Sequence, residues 1–261
     1  MSGADPRDPV TQRASGRVQN YADGLDAGAL KGARIGVSRA VHFGYSAPAD
    51  RLAESAIAVM KAQGAVIVDP VDIPHLGRLD ACEMVVLQYE FKADLNAYLA
   101  GRPGAGVRTL TDLIAFNNRE RAREMPFFGQ DLFEAAEKKG PLTSDEYRTN
   151  LENCQRWAGR EGIDAAMEKD RLDALVAPTL GPAWPTDHQN GDHVLGSSTT
   201  AAAVAGYPHV TVPAGDVSGL PVGISFFGRA WSEATLIRLA YAFEQATHHR
   251  RVPRFVPTVA P

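Results

Sequence analysis

The sequence predicts an α/β fold, and three observations carry the prediction. A strand, a helix and a second strand follow one another over residues 34–68. A short apolar strand, Asp173 to Ala177, runs into a proline. Two more strands, near 209–212 and 221–226, lead into a closing amphipathic helix.

Taken in order, residues 1–32 are rich in Asp, Pro and Gly and read as an extended lead-in. Arg34 to Ser38 is a short strand. Leu52, Ala56, Val59 and Met60 recur at helical spacing, which predicts a helix over 49–63 closed by Gly64. Ala65 to Val68 is β-branched and apolar, so strand, helix and strand form a βαβ unit with a parallel pair. Leu87, Phe91, Leu95 and Tyr98 share one face of a helix over about 79–100, and another helix is expected around 108–117. Thr143 and Glu146 have capping-box spacing and open a long helix to about 170.

Residues 178–196 read as a loop. Pro208 and Pro213 bracket a four-residue strand, since proline cannot donate to a ladder. A Gly-rich turn at 214–219 follows, then the 221–226 strand. Leu236, Leu239, Ala240, Phe243 and Ala246 mark the last helix, and 249–261 is a tail.

The chain has 261 residues, 44% hydrophobic and 22% charged, with a formal net charge of -4. These values suit an ordinary globular domain and lack the basic footprint of a nucleic-acid binder. No apolar run reaches the length that spans a bilayer, and the first nine residues are polar, unlike a signal peptide. A cytoplasmic location is expected. Cys82 and Cys154 lie in no metal-binding pattern and are expected to be reduced thiols.

Several chemistries find no support. There is no GxSxG elbow, HExxH or phosphate-binding loop. Residues 101–106 are Gly-rich but follow a helix and do not fit GxGxxG. His188 and His193 share a loop with Asp187 and Asp192 at a spacing that matches no ligand set, so no metal is assigned. Ser197 and Ser198 form a tempting nucleophile pair, yet no lysine or histidine is placed by sequence to activate them. They are read instead as caps of a helix starting near Thr199.

One stretch is more specific. Gly206-Tyr207-Pro208-His209-Val210-Thr211-Val212-Pro213-Ala214-Gly215, followed by Gly219-Leu220-Pro221-Val222-Gly223-Ile224-Ser225, resembles the C-terminal hallmark of the amidase-signature family. Trp231 to Leu236, Ala242 to Ala246, Asp173 to Thr179, and Leu30 to Val37 continue the likeness. Glu90-Phe91-Lys92, Ile114 to Asn117 and Pro182-Ala183-Trp184 look most like the peptide-amidase branch.

The resemblance implies a mixed β-sheet flanked by helices, of which this chain supplies the C-terminal part, so the fold is incomplete. It also implies hydrolysis of linear carboxamides, including peptide amides, by a serine, a cis-serine and a lysine. That machinery belongs to the N-terminal half of the family pattern, and Lys31 falls in the linker before the Arg34 strand. No catalytic residue is therefore assigned in this chain, Met1 reads as an interior position, and no cofactor is implied. Thr179, Gly181, Pro182, Trp184, Asp187, Ser197 and Ser198 are the substrate-pocket candidates. The implied partners are a small amide or peptide-amide substrate, and an N-terminal amidase half or a second copy bound through sheet edges and an open apolar sheet face. The competing reading is a non-catalytic remnant or small-molecule-binding module on the same fold.

Overall fold

A computed structural model describes residues 3–253 and Phe255. Met1 and Ser2, read as interior helix, and most of the predicted tail fall outside the described residues. The chain divides into two compact units, residues 1–76, 158–183 and 195–261 in one, and residues 77–157 and 184–194 in the other.

The first unit holds a five-stranded sheet: β1 (Arg34–Ser38), β2 (Val66–Val71), β3 (Ala174–Pro178), β4 (His209–Val217) and β5 (Leu220–Phe227), in the order β2-β1-β3-β5-β4. β1 pairs in parallel with β2 and β3, while β5 runs antiparallel to β3 and β4, so the sheet is mixed as the resemblance implies. Helix α1 (Ala47–Ala62) starts at Ser46, whose hydroxyl accepts from Ala49 N, and the chain reverses after it at Gly64 with φ 90°.

Side-chain alternation gives the sheet two unlike faces. Ile35, Val37, Val176, Ile224 and Phe226 are fully buried in the core with Leu236, Leu239 and Phe243 of α9 (Glu233–Thr247) and Ala53, Ala56 and Met60 of α1. The alternate positions mix small or polar residues, Gly36, Ser38, Ala177, Gly223 and Ser225, with two large apolar ones, Leu175 and Phe227, both fully buried. A Cβ on Gly36 would come within 2.5 Å of Leu172, so Leu172 packs closely over that strand. All five residues of β3 are buried: α1 and α9 cover one side, and Leu172 and Val71 pack with Leu175 around Gly36 on the other. β2 and β4 are the edge strands.

The β4–β5 hairpin departs from expectation. β4 does not stop at Pro213 but continues to Val217, with a register shift between Pro213 and Gly215, where Gly215 has φ 145°. An edge strand tolerates proline because its outward side needs no donor. The turn is just Ser218-Gly219, with φ 51° and 81°, the left-handed pair that a tight hairpin requires.

The lead-in is only partly extended, since 3₁₀ turns occupy Pro9–Ala14 and Tyr21–Gly24. Ser197 and Ser198 do not cap α8 (Thr200–Ala205). Its N-cap is Thr199, which makes no side-chain cap bond, because Ser197 Oγ and Thr199 Oγ1 pair with each other at 3.1 Å.

The second unit is helical: α2 (Leu76–Ala100, whose first residue belongs to the other unit), α3 (Leu110–Arg119), α4 (Arg121–Glu124), α5 (Asp131–Glu137) and α6 (Asp145–Gln155). α3 begins with a capping box between Thr109 and Asp112. α6 lacks the predicted one. Its N-cap is Ser144, and Glu146 instead accepts from Tyr89 Oη at 2.6 Å and Lys139 Nζ at 3.1 Å. The helix predicted to reach 170 does so through a π-helical stretch, Arg156–Asp164, and then α7 (Ala165–Asp170).

The cysteines correct the expectation of free thiols: Cys82 and Cys154 are disulfide-bonded, with Cα atoms 5.8 Å apart. The reason is helical register. Cys82 and Tyr89 are seven residues apart on α2, and Tyr147 and Cys154 are seven apart on α6. The two helices run antiparallel, so Tyr89 meets Tyr147 (ring centroids 5.5 Å) two turns from the disulfide. Of the predicted apolar face of α2, Leu87, Phe91 and Tyr98 are exposed and Leu95 is half-buried, while Leu79, Cys82, Tyr89 and Leu99 are buried.

Candidate functional site

The polar positions of the sheet converge where β3 ends. Ser38, His42, Ser46, Ser198 and Ser225 are the buried polar residues of the described chain, and Ser38 and Ser225 stand on the face turned away from α1 and α9. Buried polar groups cost free energy unless paired, so such a concentration calls for a reason.

Thr179 is the first residue beyond β3. Its N–H donates to Gly223 O at 2.9 Å, and its carbonyl accepts from Ser198 N at 3.1 Å. A bridge between Leu180 and Ser197 holds the returning loop against it. Thr179 Oγ1 lies 2.7 Å from Thr211 Oγ1 and 2.7 Å from Ser225 Oγ, so three hydroxyls from β3's end, β4 and β5 form one row. Glycine at 223 leaves room for them, since a Cβ there would stand 2.5 Å from Thr211 Oγ1 and 2.8 Å from Thr179 Oγ1.

Beside the row lie two histidines. Phe227 is stacked with His209 at 5.7 Å and meets the edge of His42 at 6.3 Å. His42 Nδ1 and Ser38 Oγ are 3.0 Å apart. Burial pushes the His42 imidazole down to about 4, with His209 adding to the shift, and burial lowers His209 too, against a hydrogen bond to the Ser198 backbone. Both rings are neutral at pH 7.

Three polar atoms around residues 196–198 are buried with no hydrogen-bond partner among the described residues: Ser198 Oγ, His209 Nε2 and Tyr45 Oη. The Tyr45 ring lies against Gly196, where a Cβ would be 2.8 Å away, and burial pushes its hydroxyl up to about 12. No lysine among the described residues hydrogen-bonds to Ser197 or Ser198.

The pocket candidates thus separate. Thr179, Ser197 and Ser198 come together in the first unit, next to buried Gly181 and half-buried Pro182. Trp184 and Asp187 belong to the second unit. The Asp187 carboxylate accepts from Gln189 N, Asn190 N and Asn190 Nδ2, and these bonds hold it below the usual range. Its oxygens organise their own turn. His188 stacks on Phe127 at 4.0 Å, and no group of residues among those described could hold a metal ion.

Thr211, Ser225, Gly223 and His209, within segments read only as strands, and His42, in the turn after β1, are not among the pocket candidates. Period-two alternation was the available signal: His209 and Thr211 interleave with Val210 and Val212, and Gly223 and Ser225 with Val222, Ile224 and Phe226.

The comparisons with known proteins agree with this architecture. A family model described as Amidase matches residues 1–237. A probable amidase of Arabidopsis thaliana is 34% identical over 97% of this chain and 46% of its own length. A putative amidase of Arthroderma benhamiae is 31% identical over 98% of this chain and 45% of its own. The native peptide amidase of Stenotrophomonas maltophilia superposes with TM-score 0.89 and 42% identity over 98% of this chain and 51% of that one. An amidase family protein of Bacillus anthracis gives 0.76 and 31%, over 97% and 46%. The chain spans about half the length of the relatives it matches.

Proposed function

Since the chain belongs to the amidase family, we propose that it supplies one wall of the substrate pocket of an amidase acting on linear carboxamides, peptide amides among them. The nucleophile, its base and the oxyanion donors come from an N-terminal half. The observation that carries this reading is the convergence of Thr179, Ser197 and Ser198 at the carboxyl end of β3. Ligands of α/β sheets bind beyond strand ends of this kind. Trp184 and Asp187 frame the same loop in sequence.

The chemistry assigned to the whole domain is acyl transfer to serine followed by hydrolysis. Neither serine here is equipped to start it. Ser197 Oγ is paired with Thr199 Oγ1, and Ser198 Oγ is fully buried. A serine nucleophile needs an adjacent base and a donor pair aimed at the oxyanion. This chain's part is to bind and orient.

The substrate is a small amide or a peptide amide, a reading supported by the structural likeness to peptide amidase. The macromolecular partner is an N-terminal amidase half, with a second copy of this chain as the competing occupant of the sheet edges. No described helix is long and apolar enough to cross a membrane. The Cys82–Cys154 bond favours an oxidising compartment over the cytoplasmic location expected from the polar first residues.

The test mixes the 261-residue chain with the N-terminal half of the Stenotrophomonas maltophilia peptide amidase. Ammonia release from a peptide amide by the mixture, absent from either part, is the expected result. A stable complex without hydrolysis would favour the non-catalytic binding module.

A further inference from the structure

The row Ser225–Thr179–Thr211 has a direction. Each hydroxyl carries one proton and can accept twice. Ser225 is fully buried, and its hydroxyl has Thr179 Oγ1 as its partner among the described residues. If Thr179 donated to Ser225, the Ser225 proton would be left in the interior with no acceptor. Stranding a buried donor costs more than any alternative arrangement here. The Ser225 hydroxyl therefore donates to Thr179 Oγ1, and Thr179 donates to Thr211 Oγ1. Thr211 is exposed, so the one unspent proton sits at the outer end of the row. Two hydrogen bonds behind it polarise that O–H and strengthen it as a donor.

The surroundings keep that end open and fixed. Thr211 sits opposite Ser225 in the β4–β5 ladder, on strands locked by the Ser218-Gly219 turn. Any side chain at 223 would occupy the space of the Thr211 and Thr179 hydroxyls. A neutral, pre-oriented donor on a rigid strand suits a neutral acceptor, for which an amide carbonyl oxygen is the chemical match.

We propose that the Thr211 hydroxyl, backed by Thr179 and Ser225, donates a hydrogen bond to a carbonyl oxygen of the bound amide and so fixes how the substrate lies on the pocket wall. This deepens the amidase reading and rests on it. Thr211 acts here as a binding residue, and Thr179 and Ser225 as positioning residues behind it.

The experiment titrates the isotope-labelled 261-residue chain with N-acetylphenylalaninamide and follows backbone amide resonances. Saturable shifts at Thr179, Thr211 and Ser225 are expected. Thr211→Val, which keeps the shape and removes the hydroxyl, should weaken binding roughly fivefold, the effect of losing one neutral hydrogen bond. Thr211→Ser should restore it. Gly223→Ala should also weaken binding by displacing the row. Well-dispersed spectra of each variant establish that it is folded. Binding that is unchanged in Thr211→Val, shifts confined to other residues, or no saturable binding would each overturn the proposal. Thr211-dependent binding without complementation by an N-terminal half would keep this inference and remove the catalytic reading, so the two fail separately.

Discussion

Thr179 Oγ1 stands 2.7 Å from Ser225 Oγ, joining the first residue beyond β3 to a fully buried hydroxyl of β5. Thr179→Val would remove the acceptor and leave the Ser225 hydroxyl stranded. A buried donor left without a partner costs about 1–3 kcal/mol. Urea denaturation should register that loss, and Thr179→Ser should recover most of it. Equal stability of Thr179→Val and the parent would mean that the row is not a closed chain of hydrogen bonds.

Ser198 makes the opposite prediction. Its hydroxyl is buried and unpartnered among the described residues, so it already carries a desolvation cost. Ser198→Ala should raise stability by about 1 kcal/mol. A destabilised Ser198→Ala protein would show that the hydroxyl is satisfied in solution. If the stabilised variant also complements an N-terminal half poorly, the cost is one retained for function.

The two histidines set an acid limit. Burial lowers His42 to about 4 and lowers His209 from its ordinary value near 6.5, so the unfolded chain binds more protons than the folded one below pH 6.5. Stability is therefore complete above that pH and falls as the pH drops towards 4. His42 alone accounts for roughly 3 kcal/mol of the loss. The carboxylates held low by hydrogen bonds, Asp112, Glu146 and Asp187, lose their contribution only near and below pH 4. Between pH 5 and 6.5 the loss thus comes from the histidines, opposed by Glu83, whose carboxyl burial pushes up so that its protonation favours the folded chain. Urea midpoints at pH 5 and 7 should differ for the parent and much less for His42→Gln. Matching midpoints in the parent would contradict the buried neutral pair.

Reducing the Cys82–Cys154 bond should loosen α2 and α6. The cysteines are 72 positions apart, and closing a loop of that length restricts the unfolded chain by about 4 kcal/mol. Hydrogen exchange in residues 77–157 should accelerate after treatment with dithiothreitol. Exchange in β1, β3 and β5, which belong to the other unit, should change far less. Uniform acceleration across both units would show that they unfold as one.

Sequence patterning located every strand and the main helices, because burial on a sheet or a helix stripe imposes a period that residues 34–68 and 233–247 display openly. It failed where the deciding partner lies far along the chain. Glu146 reads as half of a local capping box, yet Tyr89 and Lys139 claim its carboxylate. Cys82 and Cys154 are paired by helix register, which spacing alone does not encode. At the candidate site, Thr179, Ser197 and Ser198 were singled out by their place at the two ends of the loop that follows a buried strand. Thr211 and Ser225 lie inside segments read simply as strands, although their alternation with valines, isoleucine and phenylalanine marked a second face.

Bond cleavage by residues outside these 261 is the central claim, and an ammonia-release assay on the purified chain with a peptide amide addresses it directly. The expected result is no turnover above the buffer, in the parent and in Ser197→Ala or Ser198→Ala alike. Sustained turnover by the chain alone would contradict the claim, and its loss on changing either serine would place the nucleophile within this half.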